Sequence, residues 1–292
     1  MSEPGVVEQL QAHRAALEAR LADVGHVVAV MSGKGGVGKS TLTANVAAAL
    51  ADDGWAVGAL DADLDGRSLA RVLGVRGQRP ALAVHGVRPA IGAADVAVMS
   101  MGLLAADDGA PLAWAHPGGL AADTFVWRGL AEANALREML ADTAWGRLDV
   151  LVVDLAPGTD RLETAARVLP RLDAVVAVAI PSETALQVVR RSVRGAMEQG
   201  IPVAGLVVNM AGLACGTCGA LNPLFEHPST PDEMAEDMGV ALLGAVPFDP
   251  ALAASADAGV PLVLTQPESA TSAALRGVAE GLRDFLARAD LR

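Results

Sequence analysis

"HVVAVMSGKGGVGKSTLTANVAAAL", residues His26 to Leu50, decides the fold of this 292-residue chain. His26 to Met31 is a run of β-branched and apolar residues and predicts a buried strand; Ser40 to Leu50 predicts a helix. Between them, Gly33-Lys34-Gly35-Gly36-Val37-Gly38-Lys39-Ser40 satisfies G-x-x-x-x-G-K-[ST] in full, and strand, glycine loop and helix in that order is the context the motif needs. The glycines let backbone N–H groups turn inward around phosphate oxygens, and the helix N-terminus adds the positive end of its dipole. Gly33 to Thr41 is therefore the expected nucleotide-binding stretch, with Lys39 on the β- and γ-phosphates and the Ser40 hydroxyl on Mg²⁺.

The composition around this loop sharpens it. Of 22 basic residues twenty are arginine, and both lysines, Lys34 and Lys39, lie in the loop. Lysine survives where arginine will not serve. The net charge of −12 argues against bulk attraction to nucleic acid or anionic lipid. With 52% hydrophobic residues the chain can bury one large core, so one α/β domain is expected. No apolar run approaches the ~18–20 residues of a membrane span. The first residues do not read as a signal peptide, and two cysteines make no disulfide framework, so a cytoplasmic location is expected.

A nucleotide site needs carboxylates, and strand ends supply them. Ala56 to Leu60 predicts a strand running into Asp61, Asp63 and Asp65; "LDVLVVDLAPGTD" predicts another that ends at Asp154. Where parallel strands stop beside such a loop, a ligand crevice opens. Asp154 is expected to hold the Mg²⁺ water shell and Asp63 to orient an attacking water, whereas Asp65 reads as a solvated loop acid or helix cap. Asn209 ends the strand "VAGLVVN", and Pro247 and Phe248, after "ALLGAV", are candidates to flank a base.

The run K-G-G-V-G-K-S, with Lys34 ahead of the usual lysine, resembles the deviant Walker A class of MinD, ParA, the arsenite-pump ATPase and the Mrp family. "DADLDGRSLARVLG" (61–74), "MSMGLL" (99–104), "VWRG" (126–129), "WGRLDVLVVDLAPGTD" (145–160) and "VVNMAGLACGTCG" (207–219) narrow the likeness to the Mrp-type iron–sulfur cluster carriers, over roughly residues 26 to 275. The resemblance implies a slow ATPase with a three-layer α/β/α P-loop NTPase fold and a mostly parallel, twisted sheet. It implies that Lys34 acts in trans on the phosphates of a partner chain, and that the Asn209 amide hydrogen-bonds adenine. It implies a homodimer whose two Cys215–Cys218 pairs supply the four thiolates of one bridging [4Fe–4S] cluster, passed on to apo client proteins. The chain departs from the family pattern at Arg67 and Ala156, each in place of a proline, at a glycine missing between Thr159 and Asp160, and at "LFEHPST" (224–230).

From the residues alone, a C-x-x-C pair leaves iron and zinc open, with a redox pair or two inert thiols as further readings. A partition or positioning ATPase of the ParA/MinD kind is the alternative function, with the cysteines then holding structural zinc or inert. Arg190, Arg191 and Arg194 share a helix and read as a solvated face paired with acids rather than a nucleic-acid patch; the last helix, with Leu275, Val278, Leu282 and Phe285 on one face, reads as packed on its own sheet rather than on a membrane. Residues 1–25 are expected to be a helical extension and 26–292 the ATPase domain. Strands are predicted at 26–31, 56–60, 95–99, 149–153, 173–180, 203–208 and 242–246.

Overall fold

The structure, a computed structural model, describes residues 14–63, 68–83, 86–104, 125–214 and 221–291. Residues 1–13, Asp65, Arg67, Cys215 and Cys218 lie outside the described residues. Helix α1 (described over 14–20) leads into β1 (Val24–Ser32), α2 (Lys39–Asp52), β2 (Val57–Asp61) and α3 (Ser68–Val72). Short strands β3 (Ala81–Ala83), β4 (Gly86–Arg88) and β5 (Ala90–Ile91) precede β6 (Ala97–Ser100), α4 (Met101–Leu104) and α5 (Phe125–Asp142). Then come β7 (Leu148–Asp154), α6 (Arg161–Val168), β8 (Ala174–Ala179), α7 (Glu183–Glu198), β9 (Val203–Ala214) and β10 (Leu221–Asn222). The chain closes with α8 (Pro231–Glu236), β11 (Leu242–Phe248), α9 (Pro250–Ala258), α10 (Leu262–Thr265) and α11 (Ala270–Ala289).

Among the described residues the main sheet has nine strands in the order β10-β9-β8-β1-β7-β2-β6-β5, with β11 also on β9. All pairs from β11 through β9, β8, β1, β7 and β2 to β6 are parallel; β5 and β10 add antiparallel edges. A parallel sheet needs cover on both faces, and the period-2 alternation of the strands provides it. Val28, Val30, Val150, Val152, Val176 and Val178 face the core built with α2, α3 and α11. Val27, Ala29, Met31, Leu151, Val153, Val175 and Ala177 face the other core, with α5, α6 and α7. Leu17 and Leu21, at and just after the N-terminal helix, are buried in that second core. The alanines of α2 (Ala44, Ala47, Ala48, Ala49) are fully buried and let the helix lie close on the sheet.

The seven strands predicted from the sequence all form, with ends shifted by a residue or two except at β9, which runs on from the expected end at Val208 to Ala214. β3, β4, β5 and β10 were not anticipated: two- and three-residue strands carry no readable alternation, and their neighbours impose their pairing. Leu275, Val278, Leu282 and Leu286 bury the apolar face of α11 against β11 and α2. Among the described residues no helix is long and apolar enough to cross a membrane.

Candidate functional site

Register sets the site. Asp61 of β2 pairs with Asp154 of β7 on one side and Ser100 of β6 on the other, and Val30 of β1 also pairs with Asp154. The carboxylates that end β2 and β7 therefore sit side by side at the C-terminal edge of the sheet, next to the loop that leaves β1. Strand order reverses around β1, the position at which open α/β sheets bind ligands.

The loop itself is built for an anion. Ser32 Oγ donates to Lys34 O at 3.0 Å, and Gly158 N, from the loop after β7, donates to Ser32 O at 3.0 Å. Gly36 and Gly38 hold φ of 79° and 81°, the left-handed region where a side chain is costly. Gly38 is the N-cap of α2, which has no side-chain cap and no acid in its first turn. The first turn of this 14-residue helix thus brings no acid of its own to neutralise the positive end of the dipole. Gly33 packs on Val188 of α7, Gly35 lies near Pro157, Val37 is buried, Ser40 and Thr41 are half-buried, and Lys34 is exposed.

Lys39 is buried with its Nζ 2.5 Å from Asp154 Oδ1. Thr43 Oγ1, one helical turn on, lies 2.9 Å from Lys39 O and 3.1 Å from the same Asp154 oxygen. Asp154 is fully buried, and its Oδ2 has no hydrogen-bond partner among the described residues. A buried carboxylate oxygen left without a donor is costly unless a cation or ordered water meets it. Asn209, also buried, donates from Nδ2 to Val37 O at 2.7 Å. The sequence reading gives this amide to adenine; in the structure its N–H is engaged with the phosphate loop.

The sequence marks Asp61 as a strand-end carboxylate without giving it a role, and does not single out Thr43. Asp61 is 1% exposed and accepts from Asp63 N at 3.1 Å, Leu69 N at 3.3 Å and Ser100 Oγ at 3.3 Å, so it anchors both ends of the segment that carries Asp63. Burial first, and then the neighbouring Asp154 charge, push its pKa from 3.8 up to about 7, against the opposing pull of Lys39. Its position as the register partner of Asp154, one residue past a predicted strand, was the signal available.

A raised carboxyl pKa stabilises the fold in its protonated form. The contribution is complete below the unfolded value of 3.8 and is lost as pH rises through about 7. Without added nucleotide, Asp61→Asn is therefore expected to gain on the wild type, by of order 1–3 kcal/mol, as pH is raised across that window. Urea unfolding of both proteins across the range checks this; a difference that does not change with pH would place the titration elsewhere.

A family profile described as ParA, NUBPL iron-transfer P-loop NTPase, matches residues 23–283. The chain belongs to this family. Among relatives, an iron–sulfur cluster carrier protein of Saccharolobus solfataricus is 36% identical over 276 residues, 94% of this chain and 88% of the relative. Among solved structures, a nucleotide-binding protein from Archaeoglobus fulgidus in complex with ADP superposes with a TM-score of 0.70 at 32% identity, covering 84% of this chain and 91% of the other. The cell division ATPase MinD of Pyrococcus furiosus follows at a TM-score of 0.62 and 26% identity, covering 89% of this chain and 99% of the other. As a NUBPL-type P-loop NTPase the chain is an ATP hydrolase, and the α/β fold expected from its sequence is the fold of these neighbours.

Proposed function

We propose that the protein is a homodimeric, ATP-hydrolysing carrier that takes up an iron–sulfur cluster between the Cys215–Cys218 pairs of two chains and hands it to apoproteins. The observation that carries this reading is the path of β9, which passes the phosphate loop at Asn209 and ends at Ala214, the residue before Cys215. The Saccharolobus solfataricus relative, an iron–sulfur cluster carrier protein, supports the cargo. A pair of thiols kept free for metal points to a reducing compartment, hence the cytoplasm.

In the working site, Lys39 neutralises the β- and γ-phosphates, and a phosphate presented at the loop competes with Asp154 for the same ammonium. Ser40 and Asp154 Oδ2, which has no hydrogen-bond partner among the described residues, fit Mg²⁺, a hard cation that takes oxygen donors, and would hold it directly or through water. The chemistry it would supply is neutralisation of the negative charge on the phosphates. Asp63, held by Asp61, orients the attacking water. Lys34 reaches the phosphates of the partner chain, in the manner of an arginine finger. The cluster is cargo, held by thiolates that only two chains together supply in sufficient number. A positioning ATPase that binds membrane through its last helix would need the apolar face that α11 spends on β11 and α2.

The first test is protein purified without oxygen: visible absorption with ATP turnover, and transfer of iron to an apoprotein, are the expected result. A colourless ATPase that takes up neither iron nor sulfide on reconstitution would overturn the carrier reading. Lys34→Ala is expected to keep nucleotide binding while losing hydrolysis, by about 10³-fold if it acts as such fingers do, together with the ATP-stabilised dimer. Mixing Lys34→Ala chains with Asp63→Ala chains should restore part of the activity, because one of the two sites then has both groups intact. A mixture that regains nothing would show that each chain uses its own Lys34.

A further inference from the structure

The phosphate loop and β9 meet at one buried hydrogen bond. Asn209 Nδ2 donates to Val37 O at 2.7 Å, and a Cβ on residue 38 would stand 2.4 Å from that same nitrogen. Gly38 thus serves two needs, its left-handed φ and the close approach of the amide. A trans peptide is planar, with its C=O and N–H pointing opposite ways. Fixing the Val37 carbonyl on Asn209 therefore turns the Gly38 N–H away from that amide, on the opposite side of the peptide, where it could meet a phosphate.

One residue on, β9 kinks. Met210 has φ +54°, a conformation that residues with a side chain rarely adopt. The pairing with β11 slips at the same place: Val246 faces Asn209 but Phe248 faces Leu213, so two residues of β11 span four of β9. Beyond the kink β9 pairs anew with β10, through Leu213 and Ala214, and the next residue in the sequence is Cys215. The segment that leads to the cysteines starts at a strained residue whose neighbour is fastened to the phosphate loop.

We propose that Asn209 is a positioning residue that couples the two ligand sites: by fastening the Val37–Gly38 peptide to β9 it makes nucleotide at the loop and the state of the cysteine thiols bias one another. This rests on the carrier reading for the meaning of the coupling, not for its detection. A phosphate that pulls on the Gly38 N–H turns the whole peptide plane, and Asn209 passes that turn to Met210. Strain of this kind persists only where the surroundings over-determine it, so a small change at the loop can shift the kink between two arrangements. Linkage makes the effect reciprocal.

Cys215 and Cys218 are the only cysteines in the chain, so a thiol reagent reads them alone. The rate of modification of reduced, metal-free protein by a disulfide reagent is measured with and without saturating MgADP. In the wild type the two rates should differ by at least about fivefold, the lower end of common coupling strengths. Asn209→Ala should bind ADP about tenfold more weakly, as expected for one lost buried hydrogen bond, and at saturation its two rates should coincide. Asn209→Asp, of the same shape but with no donor, should behave alike. Met210→Gly, which removes the strain without touching the amide, should keep ADP binding and lose most of the rate difference, and it carries the test if the Asn209 variants fail to fold. Equal rates in the wild type, or an undiminished difference in folded Asn209→Ala or in Met210→Gly, would overturn the proposal. Cluster reconstitution of the wild type is run beside it: a cluster with equal thiol rates sinks the coupling alone, and no cluster with unequal rates sinks the carrier reading alone.

Discussion

Lys39→Ala is expected to weaken ADP and ATP binding by at least about a hundredfold and to stop turnover, since it removes the buried ammonium whose charge-assisted hydrogen bonds would hold the β- and γ-phosphates. Both lysines of the sequence lie in this loop, where a compact ammonium and not a planar guanidinium is kept. The same substitution has a second effect that must be separated from the first. Lys39 Nζ is the cation beside the fully buried Asp154, and its removal leaves a carboxylate without its counter-charge. Breaking such a pair from one side costs about 3–5 kcal/mol of stability. The double variant Lys39→Ala with Asp154→Asn should recover most of that stability and none of the binding. Calorimetric titration with ADP, alongside urea unfolding, tells the two apart. If the single variant keeps ATP affinity and turnover, the phosphate-loop assignment fails.

The contrast between Lys39 and Asp61 shows where sequence reasoning reaches and where it stops. The loop was legible because its motif constrains spacing, residue type and the flanking strand and helix together. Asp154 was legible as the last residue of an apolar run. Asp61 stood at an equivalent strand end, yet its importance comes from being register-paired with Asp154 and enclosed by Ser100 and Leu69, and pairing across a sheet is not written in local pattern. Asn209 was recognised as the end of a strand, but β9 does not end there. The left-handed Met210 lets the strand turn and continue, and no propensity rule places a methionine in that conformation. The edge strands β3 to β5 and β10 were illegible for the opposite reason, being too short to carry a period.

Loss of either Cys215 or Cys218 is expected to remove bound iron altogether while leaving nucleotide binding in place. Each chain offers two thiols, and a [4Fe–4S] cluster takes four ligands, so the wild type should hold one cluster for every two chains. Changing one cysteine removes two of the four ligands from the dimer, since both chains carry the change, and two sulfurs leave a cluster open to oxidation and loss. The bridging reading therefore makes a joint demand: iron and dimer should fall together, by the same substitution, at either position. The phosphate loop lies between β1 and α2, well apart in sequence, so MgADP titration of the variants should still give a binding isotherm. Anaerobic reconstitution followed by iron and zinc analysis, with mass measured by light scattering, reads all of these at once. Stoichiometric zinc and no iron would recast the pair as a structural site of four thiolates. A cluster bound at one per chain would require ligands from outside the cysteine pair, and would end the claim that the second chain completes the site.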